Sequence, residues 1–182
     1  MSGYGGKELA ASFRQVRGNT IQVAQDIPEA QYGFKVSPET RSVAQLLAHM
    51  ALGPAFQLHV HSKKIADLKE VNFPELIQQL GAEEGRSRTK AELIEFLKTE
   101  GEKFASFVEN LPDGFLAEVV TMPPGATPPT KSRMEMLLSP KEHEMHHRGQ
   151  LMLVERMLGI VPHLTRQMQE RMAAQAAAAR GR

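Results

Sequence analysis

The 182-residue sequence predicts an all-α protein folded as an up-and-down four-helix bundle. Three observations predict it. Apolar residues recur at spacings of three and four in four separate stretches. Capping-box pairs, a Ser or Thr followed three residues later by Gln or Glu, mark where three of those stretches begin. No segment declares itself as a strand.

The first helix is expected near 7–26, where Leu9, Phe13, Val16, Thr20 and Val23 share a face and Pro28 ends the pattern. The second is expected near 42–66, opened by Ser42 with Gln45, with Leu46, His49, Gly53, Phe56 and Val60 on one face. Pro54 falls inside it and should kink it, because the periodicity resumes beyond. The third, near 89–110, opens with Thr89 and Glu92, runs through Leu93, Leu97, Phe104 and Val108, and stops at Pro112-Asp113-Gly114. The fourth, near 132–158, can open with Ser132 and Glu135, or with Ser139 and Glu142 with Pro140 at its first position. The first is preferred, with a bend at Pro140, because Met136 shares the face of His143, and Gly159 is the stop. Its stripe is His143, His147, Gln150 or Leu151, Val154 and Leu158.

Between the last two helices, "GFLAEVV" reads as briefly extended. "MPPGATPPT" (Met122 to Thr130) is a Pro/Gly loop long enough to cover a site. The bundle is expected to occupy residues 1–162. Residues 163–182 form a C-terminal tail, helical or frayed, with strong helix propensity but few large apolar residues.

Composition narrows the function classes. Twenty-two Lys and Arg balance 21 Asp and Glu without any basic block, so nucleic-acid binding is not indicated. The absence of cysteine excludes disulfides, thiolate ligands and a cysteine nucleophile. The first residues lack the apolar core of a signal peptide, and no run approaches the ~18 apolar residues of a membrane span. A soluble cytoplasmic protein that neither crosses nor binds a membrane is expected.

The chemistry is concentrated in "KEHEMHHRGQ" (Lys141 to Gln150). On a helix that advances about 100° per residue, His143 and His147 stand one above the other with Cβ atoms about 5–6 Å apart. Both lie on the apolar stripe, and His49 does the same from the second helix. Burying an imidazole requires hydrogen bonds or a metal, so three inward histidines, two at ligand spacing, point to a metal site. His146 lies off the centre of the stripe and is assigned a place at the rim or behind the ligands. Gln150 returns to the face of His143 and is a candidate acceptor for an imidazole N–H. His59 and His61 fall out of phase with His49, and His163 follows Pro162 in an expected loop; none is a candidate ligand.

Residues 143–147 also satisfy H-E-x-x-H, the zinc-peptidase pattern. Its longer form requires glycine where Gln150 stands and histidine where Leu153 stands. Glu170 as a third ligand would sit in the polar tail, and Glu144 would serve as base only if it turned toward the site. A metallopeptidase is therefore the weaker reading. Three neutral imidazoles would leave a divalent ion (Zn, Ni, Fe or Mn) its full charge and open positions, as in a catalytic site. Such an ion activates either water for hydrolysis or a thiol for attack on an electrophile. A metal-binding or stress-related protein without turnover is the alternative, and a bundle whose histidines never hold metal a further one.

The segments "RSVAQLLAHM" (Arg41 to Met50) and "EMLLSPKEHEMHHRGQLMLVERMLGI" (Glu135 to Ile160) resemble the two histidine-bearing helices of the DinB/YfiT-like family of small helical-bundle metalloproteins. The likeness covers most of residues 7–160. It implies an up-and-down bundle and a divalent metal held by His49, His143 and His147, the trio that periodicity also selects. Metal-dependent transfer of low-molecular-weight thiols and some hydrolysis are known in that family, which implies a small-molecule substrate such as a thiol. A homodimer is implied as well, and Met168 and Met172 would suit helix packing.

Overall fold

The computed structural model describes residues 3–180. They are mostly helical: α1 (Gly6–Asp26), α2 (Val43–Leu52), α3 (Ala55–Ser62), α4 (Phe73–Glu84), α5 (Lys90–Glu109), α6 (Asp113–Ala117), α7 (Arg133–Met157) and α8 (His163–Arg180), with one short hairpin of β1 (Val119–Thr121) and β2 (Thr130–Ser132). The expected start signals are in place. The side chains of Ser42, Thr89 and Ser132 accept the backbone N–H of Gln45, Glu92 and Glu135, so each meets a helix-end donor that has no partner within its helix.

α1 packs along α5 and α7, and α2 packs against α5 and α7. The approach of α1 to α5 is close enough that a Cβ on Gly6 would meet the Val108 carbonyl. Two apolar clusters follow one another along these helices. One gathers Leu9, Phe13, Phe104, Val108 and Leu137, with Phe13 and Phe104 edge to face at 4.8 Å. The other gathers Val23, Leu46, Leu47, Leu97 and Leu151.

A polar layer separates them. Arg17, from the apolar face of α1, donates through Nε to both carboxylate oxygens of Glu144 at 2.8 and 2.9 Å. It also donates to the Leu97 carbonyl at 2.6 Å and the Met50 carbonyl at 3.0 Å, and so ties four helices together. Pro54 explains the second of these bonds. Having no N–H, it cannot donate to Met50, four residues earlier. Instead of one kinked helix there are two, α2 and α3; the Met50 carbonyl, lacking a donor from Pro54, accepts the Gly53 N–H at 3.3 Å and the Arg17 guanidinium at 3.0 Å.

Three other expectations are corrected. The stretch between 66 and 89 contains α4, started by Asn72, whose side chain accepts from Glu75 N–H at 3.3 Å, and by Pro74 in the first turn. "GFLAEVV" is half helix, in α6, before it becomes β1. The Pro/Gly loop joins β1 to β2 and packs its end over another part of the molecule: Val120 and Met122 lie against Ile65, Leu68 and Met136. None of residues 123–129 borders the cavities beside the histidine trio.

His163 is also placed differently. It begins α8, is only 3 % exposed and stands 3.3 Å from Asn19 Oδ1 through Nε2. With the Arg166–Asp26 ion pair of 2.7 Å it fixes the start of α8 on α1, while residues 167–180 are exposed. No helix among the described residues is long and apolar enough to cross a membrane.

Candidate metal centre

His49 comes from the last turn of α2 and His143 and His147 from the middle of α7. Their Nε2 atoms converge. His143 Nε2 lies 3.0 Å from His49 Nε2 and 3.1 Å from His147 Nε2. Two imidazoles bound to one ion at about 2.0–2.1 Å would stand about 2.9 Å apart at octahedral angles and about 3.3 Å apart at tetrahedral ones. The spacing thus suits a shared cation.

Proton accounting gives the same answer. His49 Nδ1 donates to Glu84 Oε2 at 2.8 Å, because an ionised carboxylate only accepts. His147 Nδ1 donates to Gln150 Oε1 at 2.8 Å. Both Nε2 atoms therefore present lone pairs when the rings are neutral. The one remaining proton, on His143, can bridge to one neighbour but not to both, and His143 Nδ1 is itself buried without a partner. A cation at the centre relieves the facing lone pairs.

The surroundings of His143 and His147 favour their neutral forms. Burial pushes His143 down to about 4, and the neighbouring His147, His49 and His146 add to the effect. Burial also lowers His147, against the opposing bond from Gln150. Glu84 is raised by burial, but its bonds to Arg41 and His49 outweigh that and keep it below the usual carboxylate range. Gly53, in the α2–α3 break, leaves room for His143: a Cβ there would lie 2.9 Å from His143 Nδ1.

The candidate residues of the sequence separate clearly. His49, His143 and His147 are brought together, half-buried, as a group that can hold a metal ion. Gln150 stands behind His147. His146 is exposed and reaches only Gln150 Nε2, at 3.4 Å. Glu144, the glutamate of H-E-x-x-H, is 1 % exposed and bonded to Arg17, not to the histidines. His61 is a buried scaffold histidine: it bonds Gln57 Oε1 at 3.0 Å and accepts from Arg133 Nη1 at 3.1 Å. Glu84 escaped the sequence reading because α4 did, although Asn72 with Glu75 and the spacing of Leu76, Ile77 and Leu80 marked that helix.

Two cavities flank the trio. One, of about 520 Å³, borders His49 and His143 and is walled by Leu52, Phe56, Ile77 and Leu80. The other, of about 370 Å³, borders His147 and Gln150 and is walled by Phe34, Val36 and Leu46. Arg41 borders both.

No curated protein matches the sequence. Among solved structures, a DinB-like protein of Bacillus subtilis, YjoA, has the same fold, with a TM-score of 0.62 and 20% identity over 84% of this chain and 92% of that one. The sequence model of the DinB superfamily matches residues 12–151, from within α1 to within α7, a span that contains all three histidines. The chain belongs to the DinB superfamily.

Proposed function

We propose that this protein is a metal-dependent enzyme acting on a small molecule, with His49, His143 and His147 as ligands of one divalent ion, Zn, Ni, Fe or Mn. The observation that carries the reading is the convergence of three Nε2 atoms, two with their lone pairs fixed by Glu84 and Gln150. The bound ion supplies a Lewis acid that lowers the pKa of a water or thiol placed in one of the two cavities. Glu84 and Gln150 hold the Nδ1 protons and orient the rings, and Gly53 keeps the space that His143 fills.

The two nearest carboxylates are committed, Glu144 to Arg17 and Glu84 to His49 and Arg41. That favours chemistry in which the ion itself generates the nucleophile, a thiolate for transfer of a low-molecular-weight thiol or a hydroxide for hydrolysis, over a step that needs a protein carboxylate as base. It also counts against a peptidase, whose base would be Glu144. In the same reading α1, α2 with α3, α5 and α7 are the members of an up-and-down four-helix bundle. The C-terminal segment 163–182, whose last two residues lie outside the described ones, is an appended arm, and the protein is a cytoplasmic homodimer.

Elemental analysis and metal titration of the purified chain test the ligand set. The wild type is expected to hold one equivalent, and His49→Ala, His143→Ala and His147→Ala each to lose tight binding. Full metal retention by His49→Ala would overturn the assignment.

A further inference from the structure

Arg41 stands where the two cavities meet, next to the N-cap of α2. Only part of its guanidinium is engaged. Nε donates to Glu84 Oε1 at 2.7 Å, and among the described residues no group accepts from either Nη. The side chain is 45 % exposed. Glu84 uses its other oxygen to hold His49 Nδ1 at 2.8 Å. One carboxylate therefore positions both a metal-ligating candidate and an arginine with two free donor groups.

The walls of the larger cavity are of a different character. Leu52, Phe56, Ile77 and Leu80 are apolar, and Ile77 is 66 % exposed at its edge. A large apolar side chain left open on a cavity wall is suited to cover an apolar ligand. Charge separates the two cavities. The smaller is bordered by the exposed carboxylate of Glu39, which would repel an anion. The one carboxylate on the larger is Glu84, already engaged by Arg41 and His49.

We infer that the substrate is a small carboxylate with an apolar body. Its carboxylate takes the free Nη groups of Arg41, and its body lies in the larger cavity against Phe56, Ile77 and Leu80, beside His49 and His143. A planar guanidinium presents paired donors that match a carboxylate, and one arginine matches one negative charge. The inference deepens the proposed function and relies on it only for what happens to the bound molecule, not for the binding itself.

The test is titration of the full-length protein, zinc-loaded and metal-free, with hexanoate, acetate and hexanamide, followed by NMR. Hexanoate is expected to bind more tightly than either of the others in both forms. Arg41→Gln should weaken hexanoate about tenfold or more in both forms and leave hexanamide unchanged. Arg41→Lys should recover part of the loss, since it keeps the charge without the fork. Ile77→Asp should weaken hexanoate while sparing acetate. Hexanoate binding that is unaffected by Arg41→Gln overturns the inference. So does hexanoate binding that requires zinc and ignores Arg41, because the carboxylate then sits on the metal alone. If the chain holds no zinc, the metal reading fails, while the Arg41 dependence in the metal-free protein still decides this inference.

Discussion

His61 and His143 are both pushed down to about 4, and burial is the first cause in each. Their partners differ. His61 has both nitrogens engaged, by Gln57 and Arg133. His143 has one nitrogen facing two other imidazoles and the other buried against Gly53 without a hydrogen-bond partner. Burial and a depressed pKa thus describe a scaffold histidine and a candidate ligand equally well. The unmet lone pairs tell them apart. The same contrast recurs one residue along α7, where Glu144 is saturated by Arg17 while its neighbour His143 is not.

The largest expected effect comes from breaking the saturated side. Arg17→Ala leaves the Glu144 carboxylate buried without its only partner among the described residues and removes one donor each from the Leu97 and Met50 carbonyls, and should cost about 3–5 kcal/mol in urea unfolding. Exchanging Arg17 and Glu144 together for Met should cost far less, while the folded double variant still binds metal. A Glu144→Gln protein that folds normally yet loses peptide hydrolysis would break the contrast by giving Glu144 a base's role.

Next comes pH. The folded pKa of His61 is depressed, so its contribution to stability is complete above its unfolded value of about 6.5 and lost as pH falls toward about 4. The loss is at most about 3 kcal/mol. Glu155, buried without a partner and raised to about 7, acts in the opposite sense: its contribution is complete below the ordinary glutamate value and lost as pH rises through 7. The difference in stability between wild type and His61→Gln across this range isolates the histidine, and it should shrink as pH falls. A constant difference would mean that His61 is not held neutral.

On the unsatisfied side, Glu84→Ala should lower zinc affinity about 10–100-fold by releasing His49 Nδ1, with little change in the stability of the metal-free chain. Unchanged affinity would show that Glu84 serves Arg41 alone. The smallest effect is expected for His146→Ala, whose metal affinity should stay within about twofold of wild type: the ring is exposed and lies edge-on to His147 at 4.8 Å, but its nitrogen reaches Gln150 rather than the Nε2 cluster.

Much of this contrast was legible in the sequence and part was not. His143 and His147 are written in periodicity, because i and i+4 share a helix face whatever the tertiary packing, and His49 by its place on the apolar stripe of α2. The N-caps at Ser42, Thr89 and Ser132 are local and were readable for the same reason. H-E-x-x-H could not say where Glu144 points, since that depends on a partner 127 residues away. The sign of that partner was present, however: Arg17 is a charged residue four positions after Phe13, on the apolar face of α1. Glu84 and Arg41 carried no such sign, because a pairing over 43 residues between surface segments leaves no period behind.

α4 has one further consequence. None of its 12 residues is buried, and it meets the rest of the molecule mainly through α2. A helix of that length is marginal alone, so its local opening is expected to cost less than that of α1 and α5, which carry the core. α4 nevertheless carries Glu84 and supplies Ile77 and Leu80 to the cavity wall. In the proposed site, a local opening of α4 would release His49 and widen the cavity in one event. Metal and ligand exchange rates are then expected to track amide exchange in α4 rather than global unfolding, and amide-exchange rates for α4 measured beside zinc off-rates check this.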